Sequence, residues 1–119
     1  MHKVNIEEKL LLINDHFNPR IAGELNGQHV KIVKFKGEFI WHKHDNEDEM
    51  FYVLDGSFDM HFRDKIVTLN KNEFLIVPRN IEHKPVAKNE VSIMLFEPAT
   101  TLNTGDQQNH LTKIELQKI

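Results

Sequence analysis

From residue 28 onward the apolar residues stop recurring at helical spacing. They recur at every second position, in short runs broken by turn residues, and this change of period most constrains the fold. In "HVKIVKF", Val30, Ile32 or Val33 and Phe35 alternate with Lys31 and Lys34, and Gly37 closes the run. "MFYVL" is apolar on both faces, as expected of a strand covered on both sides. Asp55-Gly56 signals a tight turn, after which Phe58, Met60 and Phe62 alternate with Asp59, His61 and Arg63. "KIVTL", "EFLIVP" and "EVSIMLFEP" supply three further strands, separated by polar turns such as "NKNE" and "RNIEHKPVAKNE". So many short strands at close spacing predict an all-β sandwich or barrel. One helix is expected, over residues 5–17: Asn5 is placed to cap it with Glu8 three residues on, and Leu10, Ile13 and Phe17 share one face before Pro19 stops it. The tail, residues 99–119, begins as polar loop, and its last nine residues suit a strand or a helical turn equally.

Length and composition narrow the class. A chain of 119 residues is expected to form a single domain, 1–119, around one core. Hydrophobic residues at 39% and charged residues at 28% are ordinary globular usage, which argues against disorder. A formal charge of −3 with scattered Lys and Arg offers no basic face for nucleic acid or anionic lipid. The opening "MHKVNIEEKL" lacks the pattern of a secretory signal, and no run approaches the roughly 20 apolar residues of a membrane span. The expectation is a soluble, cytoplasmic protein. With no cysteine, any metal must be held by imidazole or oxygen.

Eight histidines make that last point matter. His42 and His44 are two apart, so on an extended chain they face the same way, at a spacing that lets two imidazoles share one ion. If the acidic loop "DNED" turns the chain back, the Glu49 carboxylate can meet them. The bland alternative is a solvated pair, since exposed strands often carry His-x-His. The second half of the chain favours the metal. In "EFLIVPRNIEHKP", Pro78 ends a buried-looking strand, Asn80 suits a positive-φ turn, and His83 re-enters facing inward. Neutral imidazoles with one carboxylate suit one divalent transition metal ion: Mn, Fe, Co, Ni, Cu or Zn.

These residues fall in a known arrangement. The chain resembles a small single-domain cupin of the type-2 conserved β-barrel group, whose first motif is written G(X)5HXH(X)3,4E(X)6G. Gly37, His42, His44, Glu49 and Gly56 fill it, with four residues instead of five after the first glycine. The second motif, G(X)5PXG(X)2H(X)3N, is met by Pro78 and His83, with Asn72 and Asn80 in place of glycine and Ala87 in place of asparagine. Asparagine tolerates the left-handed conformation, so both turns can survive. The resemblance, over about residues 28–98, implies a double-stranded β-helix, or jelly-roll barrel, with His42, His44, Glu49 and His83 as metal ligands. The closing "FEPATTLNTGD" also resembles small bacterial cupins described as mannose-6-phosphate isomerase-like.

Such a barrel implies a small-molecule pocket beside the ion, for which Phe51, Phe58 and Phe62 are the candidate lining. Catalysis would then be metal-dependent, as a sugar-type isomerase or a dioxygenase. A non-catalytic ligand-binding or sensing barrel is the alternative. His2, His16, His29 and His110 are expected on the surface, as are His61 and Arg63. Trp41, Met50 and Tyr52 should lie on the face away from the ligands, where apolar residues suggest a second sheet or a homodimer partner.

Overall fold

The computed structural model describes residues 1–119. Its elements are α1 (Ile6–Leu10), β1 (Arg20–Leu25), β2 (Gln28–Glu38), β3 (Glu49–Asp55), β4 (Ser57–Phe62), β5 (Ile66–Asn70), β6 (Phe74–Val77) and β7 (His83–Pro98). All strand pairs are antiparallel, in the order β1-β2-β7-β3-β6, with β4 joining β7 and β5. The long β7 ties the barrel together. Its second half, Val91–Pro98, lies between β2 and β3, whereas its first residues, His83–Ala87, lie between β4 and the end of β2. The register slips where exposed Lys88, Asn89 and Glu90 bend the strand from one side of the barrel to the other. The fold is therefore the all-β cupin-type barrel with a short N-terminal helix.

Alternation puts one set of side chains inside. Val33 and Phe35 of β2, Phe51 and Val53 of β3, Phe58 and Met60 of β4 and Ile93 and Leu95 of β7 belong to one buried cluster. At about 25 cal/mol per Å² of apolar area, a single such side chain contributes about 1.5–3 kcal/mol on burial. The same parity carries Lys31 and Glu97 inward, next to Val33 and Leu95.

The structure departs from the sequence expectations in four places. The helix covers five residues, not 5–17. Asn5 does cap it, its side chain accepting from the Glu8 N–H at 3.0 Å. Past Leu10 the chain is held to β2 instead: the Phe17 N–H donates to the Lys34 carbonyl and the Lys34 ammonium to the Ile13 carbonyl. So short a helix has little stability of its own, and burying Ile13 by these tertiary bonds prevails. Second, β1 was not expected. It forms a hairpin with β2 through Asn26-Gly27, both at positive φ (50° and 75°), the backbone of a type I′ turn. Third, β7 begins at His83, so the presumed polar turn is strand from His83 onward. Fourth, Lys31 is buried, not on the polar face of its strand. The end of the tail pairs beside β1, with Ile21 bonded to Gln117 and Ile119, and is not helical.

Candidate metal centre

Ten residues between β2 and β3 cross the mouth of the barrel and carry His42 and His44. His42 is fastened to His83 at the start of β7 by a pair of backbone hydrogen bonds, 3.1 and 2.9 Å. The His44 carbonyl accepts from the Asn80 N–H at 2.8 Å, and Asn80 takes the positive φ of 67° that its motif position requires. The tail contributes as well. Lys43 between the two histidines exchanges hydrogen bonds with Asp106: its N–H donates to the Asp106 side chain and its carbonyl accepts the Asp106 N–H, each at 3.0 Å. Gly105, at φ 57°, passes so close beneath that a Cβ there would collide with the Lys43 carbonyl.

Together these constraints gather four side chains. One ligand atom from each of His42, His44, Glu49 and His83 lies within 4.8 Å of the other three, and all four residues are buried. Two rings are already oriented. The His42 and His83 Nδ1 atoms sit 2.9 and 2.8 Å from the carbonyls of Ile40 and Ile81, which only an N–H can satisfy, so each Nε2 keeps its lone pair free. Glu49 Oε1 approaches His44 Nε2 at 3.2 Å and His83 Nε2 at 3.5 Å without hydrogen-bond alignment. Consequently Glu49 Oε1, His44 Nε2 and His83 Nε2 are buried polar atoms with no hydrogen-bond partner. Orphans of that kind are costly, and three converging on one point form a site that could hold a cation.

The site's charges pull its groups in different directions. Burial, reinforced by the neighbouring His83, pushes His42 down to about 4, so it is neutral at physiological pH. Burial acts the same way on His44, but the facing Glu49 charge outweighs it and the net movement is upward. Burial would raise Glu49, yet its contacts with Glu97, His44 and His83 hold it well below the usual carboxylate range. Glu97 is the reverse, raised by burial and by Glu49 beside it. The strand register explains their contact: Phe51 faces Leu95 and Met50 faces Phe96, so one step on Glu49 faces Glu97. Sequence reasoning missed Glu97 and its partner Lys31, 2.7 Å away, though counting inward from Leu95 and Val33 finds both.

A cavity of about 50 Å³ adjoins His42 and Glu49, lined by Phe17, Phe35, Phe39, Phe51 and other apolar residues, with Asn103 as a further polar group. No lysine or arginine lines it. Phe17 and Phe39 stack at 5.3 Å, and Phe39 meets His42 edge-on. Phe17 holds a positive φ of 57°, a strained conformation for a bulky residue, costing about 1–2 kcal/mol. Of the three expected lining residues, Phe51 is in the wall. Phe58 is one layer deeper, edge-on to Phe35, and Phe62 lines a separate surface groove with Leu75 and Ile81. Arg63 lies outside, 3.9 Å above the Trp41 ring and paired with Glu82. His16 is half exposed and bonds Glu90, whereas His29, expected on the surface, is largely buried with an unpartnered Nδ1.

A small antiparallel barrel with three imidazoles and a carboxylate converging inside it is a cupin. The chain belongs to that family: the family model described as "Cupin domain" (Cupin_2) matches residues 29–97. Among solved structures it is similar to a cupin-2 domain containing protein from Shewanella frigidimarina NCIMB 400, with 43% identity, a TM-score of 0.79, and coverage of 80% of this chain and 93% of that one. Protein NMB1881 from Neisseria meningitidis is similar at 26% identity and a TM-score of 0.76, covering 82% of this chain and all of the other. The uncharacterized protein YdbB of Bacillus subtilis (strain 168) is 37% identical over 70 residues, 58% of this chain and 61% of YdbB, so the match spans under two thirds of that relative.

Proposed function

We propose that this protein is a mononuclear metalloprotein that holds one divalent transition metal ion on His42, His44, Glu49 and His83 and acts on a small molecule bound beside it. The observation that carries this reading is the set of three orphaned, buried ligand atoms, Glu49 Oε1, His44 Nε2 and His83 Nε2, beside the His42 ring, whose Nδ1, like that of His83, is tied to a backbone carbonyl. Three imidazoles and one carboxylate form a donor set suited to Mn, Fe, Co, Ni, Cu or Zn. When bound, such an ion supplies Lewis-acid chemistry or, if redox-active, oxygen chemistry.

The chain's own residues favour one substrate class. The wall next to the site is aromatic and aliphatic, and it presents no cation to a phosphate. That disfavours a sugar phosphate and its isomerisation. It favours a substrate with a small polar head at the ion and an apolar body, and hence oxygenase-type chemistry over sugar isomerisation. At about 50 Å³ the cavity is far smaller than the ~300–1,000 Å³ of a drug-sized pocket, so it admits only the head of such a substrate.

A second copy of the chain is the proposed partner. On the face opposite the central cluster, two apolar ladders cross four strands in register: Val30, Phe96, Met50 and Ile76, and Ile32, Met94, Tyr52 and Phe74, with Ile32 already covered within the chain. Phe74 and Ile76, at 59% and 53% exposed, lie on the edge strand β6, which a homodimer would cover. A cytoplasmic setting is proposed alongside, from the cysteine-free composition.

Elemental mass spectrometry of untagged protein tests the metal reading. Near-stoichiometric metal is expected in the parent and none in the His42→Ala/His83→Ala variant. Equal metal in both, or none taken up by the parent on adding Mn(II), Fe(II), Co(II) or Zn(II), would overturn it.

A further inference from the structure

Behind the four ligands lies a second set of buried charges on the same interior face. Lys31 of β2 and Glu97 of β7 have side chains 2% and 1% exposed, and the Lys31 ammonium donates to Glu97 Oε1 at 2.7 Å. The ammonium also reaches the Thr101 carbonyl at 3.4 Å, so it is held from two sides. Continuing the β3–β7 register one step past Met50 and Phe96 puts Glu97 opposite Glu49, and both side chains are buried. Three neighbouring strands thus carry a line from Lys31 through Glu97 to Glu49, ending where Glu49 Oε1 faces His44 and His83.

This line is expensive as a stabilising device. A buried ion pair seldom outweighs the cost of desolvating both partners, and an apolar pair of similar volume is often neutral or better. Two acidic side chains opposed across a sheet make matters worse, and the pair resists carrying two charges, since burial and Glu49 push Glu97 upward. Nothing in the barrel's packing calls for such charges, since Val33 and Leu95 next along the same strands fill their positions with hydrocarbon. The arrangement does constrain Glu49. With Glu97 next to it across the β3–β7 register, Glu49 turns one oxygen toward the imidazoles, 3.2 Å from His44 Nε2 and 3.5 Å from His83 Nε2.

Resting on the metal-centre reading above, we propose that the Lys31–Glu97 pair is a positioning device that holds Glu49 as a one-oxygen ligand and so sets the affinity and coordination geometry of the ion. Residues that orient a ligand in this way typically contribute about 10–100-fold to metal affinity. A purely structural pair would alter unfolding without altering the coordination sphere.

The test uses the metal-free full-length chain titrated with Co(II), read by its visible ligand-field spectrum and by calorimetry. The Lys31→Met/Glu97→Leu double variant replaces the pair with hydrocarbon and is expected to fold. It should bind Co(II) about 10–100-fold more weakly than the parent, with a changed spectrum. Glu97→Gln keeps an acceptor for Lys31 and the same side-chain shape opposite Glu49, and should restore parental affinity and spectrum to within about threefold. If the double variant matched the parent in affinity and spectrum, or Glu97→Gln were as weak as the double variant, the positioning role would be wrong. A parent that binds no Co(II) would overturn the metal centre itself, and the proposal with it.

Discussion

Stability of the metal-free protein should fall steeply in mild acid, and His42 should be the largest imidazole cause. Folding depresses this imidazole from its ordinary 6.5 to about 4, through burial and then the neighbouring His83. The folded state therefore binds fewer protons than the unfolded chain between those two values. Stability from this group is complete above about pH 6.5 and is lost as pH falls toward 4. At about 1.36 kcal/mol per tenfold, the full loss is about 3 kcal/mol, of which about 2–3 kcal/mol develops between pH 7.5 and 4.5. No discount for solvent is needed, because His42 is only 3% exposed. His44, His83 and Glu49 face it, and the upward movement of His44 acts in the opposite sense. The useful quantity is thus the difference between the parent and His42→Leu, in which this one titration is gone. Urea unfolding with a chelator present, at both pH values, should show the parent losing about 2–3 kcal/mol more than the variant. Parallel losses would mean that His42 is not buried in its neutral form and that the ligand cluster is looser than described.

Two further outcomes are expected. Gly105→Ala places a methyl group against the Lys43 carbonyl at a positive φ and should destabilise the fold by about 2–4 kcal/mol. It should also weaken Co(II) binding at least about tenfold, because the segment carrying His42 and His44 must shift; unchanged affinity in the folded variant would show that the tail does not position the site. The parent should show a dimer mass by light scattering at micromolar concentration and Phe74→Glu/Ile76→Glu a monomer mass, whereas a monomeric parent would refute the proposed interface.

How legible this was in the sequence differs from residue to residue. Period-two alternation announced β2 and β4, because a half-buried strand imposes that pattern directly, and short apolar runs between turn residues announced β3, β5 and β6. The ligand set was equally plain, since His42, His44, Glu49 and His83 occur at spacings that a family motif records. Asn26-Gly27 was legible but unread: it is a strong hairpin signal, and β1 before it is too mixed in polarity to announce itself. Helix 5–17 failed for the opposite reason, because helical spacing at Leu10, Ile13 and Phe17 is local, whereas the bonds from this segment to Lys34 are not.

The sequence by itself determined the class of fold and the chemistry of the donors, both of which depend on residue type and short spacing. Tertiary structure alone decided what surrounds those donors. Lys31 and Glu97 lie 66 residues apart, and only strand register makes them partners behind Glu49. Phe17 reaches the cavity wall from the N-terminal segment, and Gly105 and Asp106 reach Lys43 from the tail. Contacts of this range arise from barrel closure, which brings together positions that no local period can relate.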